Sequence, residues 1–249
     1  MTPPPFVGAK HQGERHSACG EPCCDALLLP QRKLGLSGFV ICDGAGGTAA
    51  IAHGAAIGAR AAWRALLAVR RQLRRAPLRP PARTLLQQSF RSTFLHARRG
   101  APLINHTVLA CLWDRQRLLV AQVGDSTLLL RRAGTWALPM PPAKGEFANE
   151  TTFLRANTPA AAIDLWWTPA QQIEAVIGFS DGLEAAFLAP KPGAADVLQV
   201  NSPLAELVIQ EHQRRHGWGR YPDWLAASLA DEGIKQLSDD DRTLVIASR

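Results

Sequence analysis

No run in the 249 residues is apolar for the length a membrane helix needs. Met1–Phe6 is proline-rich and lacks the basic start and apolar middle of a secretion signal, so a cytoplasmic protein with no membrane partner is expected. A disulfide framework is disfavoured too. The five cysteines are odd in number, and although Cys19, Cys23 and Cys24 lie close together they form no C-x-x-C pair. No His/Cys pair completes a zinc set at familiar spacing, so free or buried thiols are expected. There is no G-x-x-x-x-G-K-[ST], and no lysine between Gly44 and Ala143, which argues against a nucleotide phosphate loop.

Acidic residues are missing altogether between Asp43 and Asp114, while Arg60, Arg64, Arg70, Arg71, Arg74, Arg75, Arg79, Arg83, Arg91, Arg98 and Arg99 all fall there. The net charge of +7 is therefore uneven. Such a run reads as a nucleic-acid patch, as a surface for acidic or phosphorylated proteins, or as the solvated face of an arginine-rich helical pair. The last is favoured. Nucleic acid is the weakest of the three, because no aromatics interleave with the arginines to stack on bases.

What the chain does have is a 47% hydrophobic composition, ample for one core. Residues 1–249 are expected to form a single domain with a loose N-terminal arm (1–11), the first thirteen residues reading as a loose arm or an edge strand, and a flap (139–160). Phe39–Cys42 is an apolar, β-prone run that ends in Asp43, and three glycines in the next four residues break it. Ala49–Leu73 then carries apolar residues at helical spacing, and a second helix is expected over 82–98, with Leu85, Phe90 and Phe94 buried. Residues 15–25 read as a loop. Thr107–Trp113, Leu118–Val123 and Leu128–Arg131 read as a three-stranded meander, and Ile163–Trp167 and Ala175–Phe179 as further strands. Ser180-Asp181-Gly182 is expected to open a helix, and 204–215 and 221–237 are expected to be helical before a last strand, Arg242–Ala247. Grouped strands with paired helices, rather than strict alternation, imply an α+β fold with antiparallel sheets.

Acidic residues recur at the ends of these runs. Asp43 and Asp181 each follow an apolar strand, Asp239–Asp241 precede one, and Asp125 sits in a Gly-Asp-Ser turn between two. Each alone reads as a turn or cap residue. If the strands are neighbours, the carboxylates converge, and they cannot all stay ionised without a cation. Oxygen donors without His or Cys suit Mg²⁺ or Mn²⁺.

Asp43-Gly44-Ala45-Gly46-Gly47, Gly124-Asp125-Ser126, Ser180-Asp181-Gly182 and Asp240-Asp241-Arg242-Thr243 stand in the order found in the metal-dependent type 2C Ser/Thr protein phosphatases, which the sequence resembles. Residues 16–25 and 145–154 resemble the opening segment and the flap motif of a bacterial branch. The resemblance spans roughly residues 12 to 248. It implies a four-layer α-β-β-α sandwich with two central, mostly antiparallel sheets. It also implies hydrolysis of phosphoserine and phosphothreonine by direct attack of a metal-activated water, with no covalent intermediate. By position, Asp43, Asp181 and Asp240 are the catalytic carboxylates. Asp43 bridges two Mn²⁺ or Mg²⁺ ions, the Gly44 carbonyl and Asp25 through water serve the first, and Asp181 and Asp240 serve the second. Asp125 with Asp181 allows a weaker third. The implied partners are phosphorylated Ser/Thr proteins, including a cognate kinase.

Three departures stand out. Ala45 replaces a histidine that many members use as an acid, Cys24 stands where Glu or Gln is usual, and Gly20 stands where many members place a phosphate-gripping arginine. His16 or Arg15 is the candidate substitute for that arginine. An active phosphatase is the leading reading, a catalytically weak phosphoprotein-binding relative the second, and a basic nucleic-acid adaptor the third.

Overall fold

Strict alternation along the strands builds the molecule. On the strand before Asp43, Phe39 and Ile41 point one way and Val40 and Cys42 the other, and all four are buried. A strand buried on both faces must lie inside a layered structure. The computed structural model describes residues 2–30, 35–75, 81–98, 100–101, 104–143 and 151–249.

The chain runs β1 (Val7–His11), α1 (Glu14–Ala18), β2 (Ala26–Leu28), β3 (Ser37–Cys42), α2 (Ala49–Arg75), α3 (Arg83–Ala97), β4 (Val108–Trp113), β5 (Arg117–Val123), β6 (Thr127–Arg132) and β7 (Thr135–Ala137). It continues through β8 (Asp164–Pro169), β9 (Ala175–Phe179), α4 (Glu184–Phe187), β10 (Leu188–Lys191), β11 (Ala194–Val200), α5 (Ser202–Arg215), α6 (Tyr221–Ser228), α7 (Glu232–Lys235) and β12 (Arg242–Ser248). One five-stranded sheet has the order β2-β3-β4-β5-β8 and the other β1-β12-β9-β6-β7, and β10-β11 form a separate hairpin. Every pairing is antiparallel.

The two sheets face each other through Phe39, Ile41, Leu109, Cys111, Val120, Leu128, Val176 and Val245. At Gly178 in β9, an added Cβ would lie 2.3 Å from the Phe39 ring, so glycine lets the sheets close over that ring. The outer face of the β3 sheet is covered by α2 and α3. Along α2 the buried residues Ala55, Ala59, Ala62, Leu66, Val69 and Leu73 step by four and three, a helical stripe whose alanines allow close approach. The outer face of the β12 sheet is covered by α5 and α6 through Ile209, Tyr221 and Leu225. The order helix, sheet, sheet, helix is the expected α-β-β-α sandwich. Among the described residues no helix is long and apolar enough to cross a membrane.

Several local expectations are corrected. β4, β5 and β6 are not a meander: β5 pairs with β4 and β8, while β6 crosses to the other sheet and pairs with β7 and β9. The crossing is made at Gly124, whose φ of +94° suits glycine. In α3 the buried stripe is Leu86, Phe90 and Phe94, and Leu85, one residue or about 100° around the helix, is 56% exposed. Residues 7–11 of the expected loose arm are the edge strand β1, paired with β12, and residues 14–18 form a short helix that overlaps the expected loop. The helix after Ser180 is one 3₁₀ turn followed by the four-residue α4. The expected helix over 221–237 is two, interrupted where Asp231 accepts from the Gly233 N–H as an N-cap. The hairpin β10-β11 was not foreseen. Of the flap motif, residues 145–150 lie outside the described residues.

Candidate metal centre

The strand ends that carry Asp25, Asp43, Asp125, Asp181 and Asp240–Asp241 lie at one end of the sandwich. Register places Cys42 opposite Ala26, Ile41 opposite Leu109, and Phe179 opposite both Leu244 and Thr127. Asp43, Asp25 and Ser126 stand immediately beyond these pairs, Asp181 two residues beyond and Asp241 three. Ligand oxygens of Asp43, Asp125 and Asp181 come within 4.8 Å of one another. Asp25 and Asp240 fall outside that group of three, yet their charges still act on Asp43 and Asp181.

Burial and mutual repulsion dominate this cluster. Burial is the largest cause that raises the Asp43 carboxyl well above its ordinary value, followed by the charges of Asp25, Asp181, Asp125 and Asp240. Burial, then Asp125, Asp240 and Asp25, lift Asp181 to about 8. Asp25 is 2% exposed and rises to about 6, again chiefly through burial, although the hydroxyls of Thr243 and Ser180 oppose the rise.

The supports are mostly hydroxyls and backbone. The Asp43 N–H donates to Thr107 Oγ1 at 3.0 Å and the Thr107 N–H donates to the Asp43 carbonyl at 2.8 Å. Thr107 Oγ1 also lies 3.2 Å from Ser126 Oγ, beside Asp125. Thr151 donates to Asp125 Oδ2 at 2.5 Å, which ties residues 151–154 to the cluster. Asp25 Oδ2 accepts from Ser180 Oγ at 2.7 Å and Thr243 Oγ1 at 2.6 Å. One carboxylate thus joins the end of β9, the start of β12 and the start of β2.

Arg15 and His16 occupy α1, across from the loop before β12. Arg15 Nη2 donates to both oxygens of Asp240 at 2.9 Å, with its side chain 53% exposed. His16 is buried, and its Nδ1 lies 3.0 Å from Asp241 Oδ1. Asp241 also accepts from the N–H groups of Gly13 at 2.8 Å and Cys24 at 2.6 Å. Burial pushes the Asp241 carboxyl up, but the Gly13 N–H, His16 and the Cys24 N–H outweigh it and hold the carboxyl below its ordinary value. Arg242, fully buried, donates to the carbonyls of Leu229 and Ser238 and to Glu14. It fixes the loop that carries Asp240.

One supporting assembly had no sequence signal. His106 is 0% exposed. Its Nδ1 lies 2.8 Å from the Thr107 carbonyl and therefore donates, so Nε2 accepts from Arg98 Nη1 at 2.9 Å. Burial, with Arg98 adding to it against the Thr107 carbonyl, drops this imidazole to about 4. It is a neutral strut with both nitrogens engaged, and it does not replace the acid missing at Ala45. Its own carbonyl accepts from the Leu154 N–H at 3.1 Å.

The residues fit a hard divalent cation. Their donors are oxygens, the carboxyls are held uncomfortably close, and buried Oδ1 atoms of Asp25 and Asp125 have no hydrogen-bond partner among the described residues.

A partly buried carboxylate cluster thus sits at one end of an α-β-β-α sandwich. The chain matches the family model described as Protein phosphatase 2C over residues 12–230, and it belongs to that family. Among curated proteins it is 23% identical over 141 residues to Serine/threonine-protein phosphatase 3 of Escherichia coli strain K12; the match covers 57% of this chain and 54%, about half, of that protein. Among solved structures it resembles a bacterial serine phosphatase with an arginine substitution (TM-score 0.62, 14% identity, 100% of this chain and 99% of the other). It also resembles PppA, a regulatory component of T6SS in Pseudomonas aeruginosa (0.59, 17%, 98% and 96%). A third is the catalytic domain of the phosphatase PstP in complex with 2 manganese ions (0.54, 16%, 98% and 96%).

Proposed function

We propose that the protein hydrolyses phosphoserine and phosphothreonine in proteins at the carboxylate end of the sandwich, using divalent metal ions. The observation that carries this is the convergence of Asp43, Asp125 and Asp181 in a partly buried, mutually repelling group within a chain of this family. Asp43, Asp181 and Asp240 are the residues that would hold two Mn²⁺ or Mg²⁺ ions, with the Gly44 carbonyl beside them and Asp25 acting through water. Asp125 would hold a weaker third. A pair of such ions supplies an acidified water at neutral pH and offsets charge on the phosphoryl oxygens.

The chain's own residues do the rest. Thr107 fixes the Asp43 backbone at two points, and Asp25 holds Ser180 and Thr243 in register so that Asp181 and Asp240 face the same space. Arg15, whose Nη2 bridges both oxygens of Asp240 at the exposed rim, is the residue we assign to the substrate phosphate. His16 we assign to bracing Asp241. With Ala45 in place of a histidine, the leaving alkoxide takes its proton from water.

The test is phosphate release from phosphoseryl and phosphothreonyl peptides with Mn²⁺, with Mg²⁺ and with EDTA, beside Asp43→Asn. Metal-dependent release that the variant loses supports the reading. Folded wild-type protein that binds these peptides but releases no phosphate with either metal would favour the binding-module alternative.

A further inference from the structure

At the opposite end of the sandwich the last turns of α2 and the β4–β5 turn enclose a cleft of about 410 Å³. Its lining is Gly35, Arg70, Arg74, Asp114, Arg115 and Gln116, three guanidiniums against one carboxylate. That carboxylate is already committed. Asp114 Oδ2 accepts from Arg70 Nε at 2.6 Å, and Oδ1 accepts from the N–H groups of Gln116 and Arg117. Burial pushes its carboxyl up, but those two N–H groups and Arg70 outweigh it and keep the carboxyl below its ordinary value, so it stays ionised and bound. Arg70 is thereby fixed, with its side chain 17% exposed. Arg74 and Arg115 are exposed, and Arg117 is tied to the Leu73 carbonyl. Gly35, at φ +71°, keeps the wall open: a Cβ there would lie 3.3 Å from Arg115 Nε.

Nothing along α2 or α3 offsets this charge, because the chain holds no acid from Gly44 to Trp113. The volume is that of a small-ligand site, and the lining has no aromatic to stack on a base. Guanidinium forks suit carboxylates, which they take two N–H groups at a time.

We propose that this cleft docks an acidic segment of the protein substrate, distant from the phosphate that is removed. The proposal rests on the phosphatase reading for the word substrate; the binding itself does not. The cleft lies near Ser37 and Trp113, which pair where β3 begins and β4 ends, whereas Asp43 follows the other end of β3. Six residues at about 3.3 Å each put the two sites roughly 20 Å apart, further than one phosphoseryl side chain reaches. An extended peptide spans that distance in about six or seven residues, and more along the surface. Selection by the cleft therefore acts on KM and leaves the chemical step untouched.

The experiment compares the full chain with Arg74→Glu/Arg115→Glu, and with the milder Arg74→Gln/Arg115→Gln should the first fail to fold. A fluorescein-labelled hexaglutamate peptide without phosphate is titrated by anisotropy, beside a hexaglutamine peptide and a single-stranded oligonucleotide of equal charge. Phosphoseryl peptides carrying the acidic run ten residues to either side, and a small aryl phosphate, are assayed with Mn²⁺. We expect hexaglutamate to bind wild type at least tenfold better than the glutamate variant, KM for one acidic phosphopeptide to rise by a similar factor with kcat unchanged, and aryl phosphate turnover to be equal. Equal hexaglutamate binding by both proteins overturns the proposal, and so does equal binding of hexaglutamine. Tighter oligonucleotide binding lost in the variant overturns it in favour of nucleic acid. Absence of turnover of both the phosphoseryl peptides and the aryl phosphate in wild type would count against the phosphatase reading instead, and the peptide titration would still decide the cleft.

Discussion

Replacing Asp181 by Asn should stabilise the metal-free protein. Its carboxyl is lifted from 3.8 to about 8 in the folded state, first by burial and then by Asp125, Asp240 and Asp25. A carboxyl raised in this way favours the folded state at low pH and costs stability as pH rises from 3.8 towards 8, because the unfolded chain releases the proton first. At pH 7.5 the gap is close to 4 pH units, and at 1.36 kcal/mol each the ceiling is about 5 kcal/mol. Part of that cost passes to the neighbouring carboxyls when Asp181 is removed, and the amide must still be buried. A net gain of roughly 2–3 kcal/mol in EDTA at pH 7.5, shrinking below about 1 kcal/mol at pH 5, is expected. Urea unfolding followed by tryptophan fluorescence measures it. With saturating Mn²⁺ the order should invert, since binding to the folded state stabilises wild type by RT ln(1 + [L]/Kd) and the variant by less. A variant less stable than wild type in EDTA at pH 7.5, or a difference that ignores pH, would refute the electrostatic account.

Thr107→Val removes the acceptor for the half-buried Asp43 N–H and should cost about 1–2 kcal/mol in urea unfolding, together with a lowered affinity for Mn²⁺. Gly178→Ala places a Cβ against the Phe39 ring and should cost about 1–3 kcal/mol, read as a lower Tm, with metal affinity per folded molecule unchanged. Asp241→Ala leaves the Gly13 and Cys24 N–H groups without their acceptor and should cost at least about 2 kcal/mol; Asp241→Asn, which keeps a carbonyl oxygen, should recover part of it.

Antiparallel sheets with helices were legible because the strands group and the helices come in pairs, whereas the four-layer sandwich followed from the family resemblance; that Phe39 and Ile41 face one layer and Val40 and Cys42 another is seen only in the packing. The carboxylate positions were legible because each one punctuates an apolar run. Strand partners were not. Leu118–Val123 and Leu128–Arg131 look alike, and only the packing of Leu128 and Leu130 between the sheets sends β6 across to β9. Leu85 and Leu86 are identical neighbours, and the helix phase that separates them is set by contacts with the sheet. β10 holds Pro190, which cannot donate to a ladder, yet it pairs with β11. The strut of Arg98, His106 and Thr107 was invisible for the same reason. Arg98 comes from the end of α3 and Thr107 precedes β4, so what each does for Asp43 depends on a long-range approach.

The most direct measurement is phosphate turnover plotted against Mn²⁺ bound per chain, by equilibrium dialysis and aryl phosphate assay on one preparation. The account predicts no turnover in the metal-free protein, a rise that follows loading towards two ions, and neither uptake nor turnover at that level in Asp43→Asn. Turnover without bound metal, or undiminished uptake and turnover in Asp43→Asn, would contradict it.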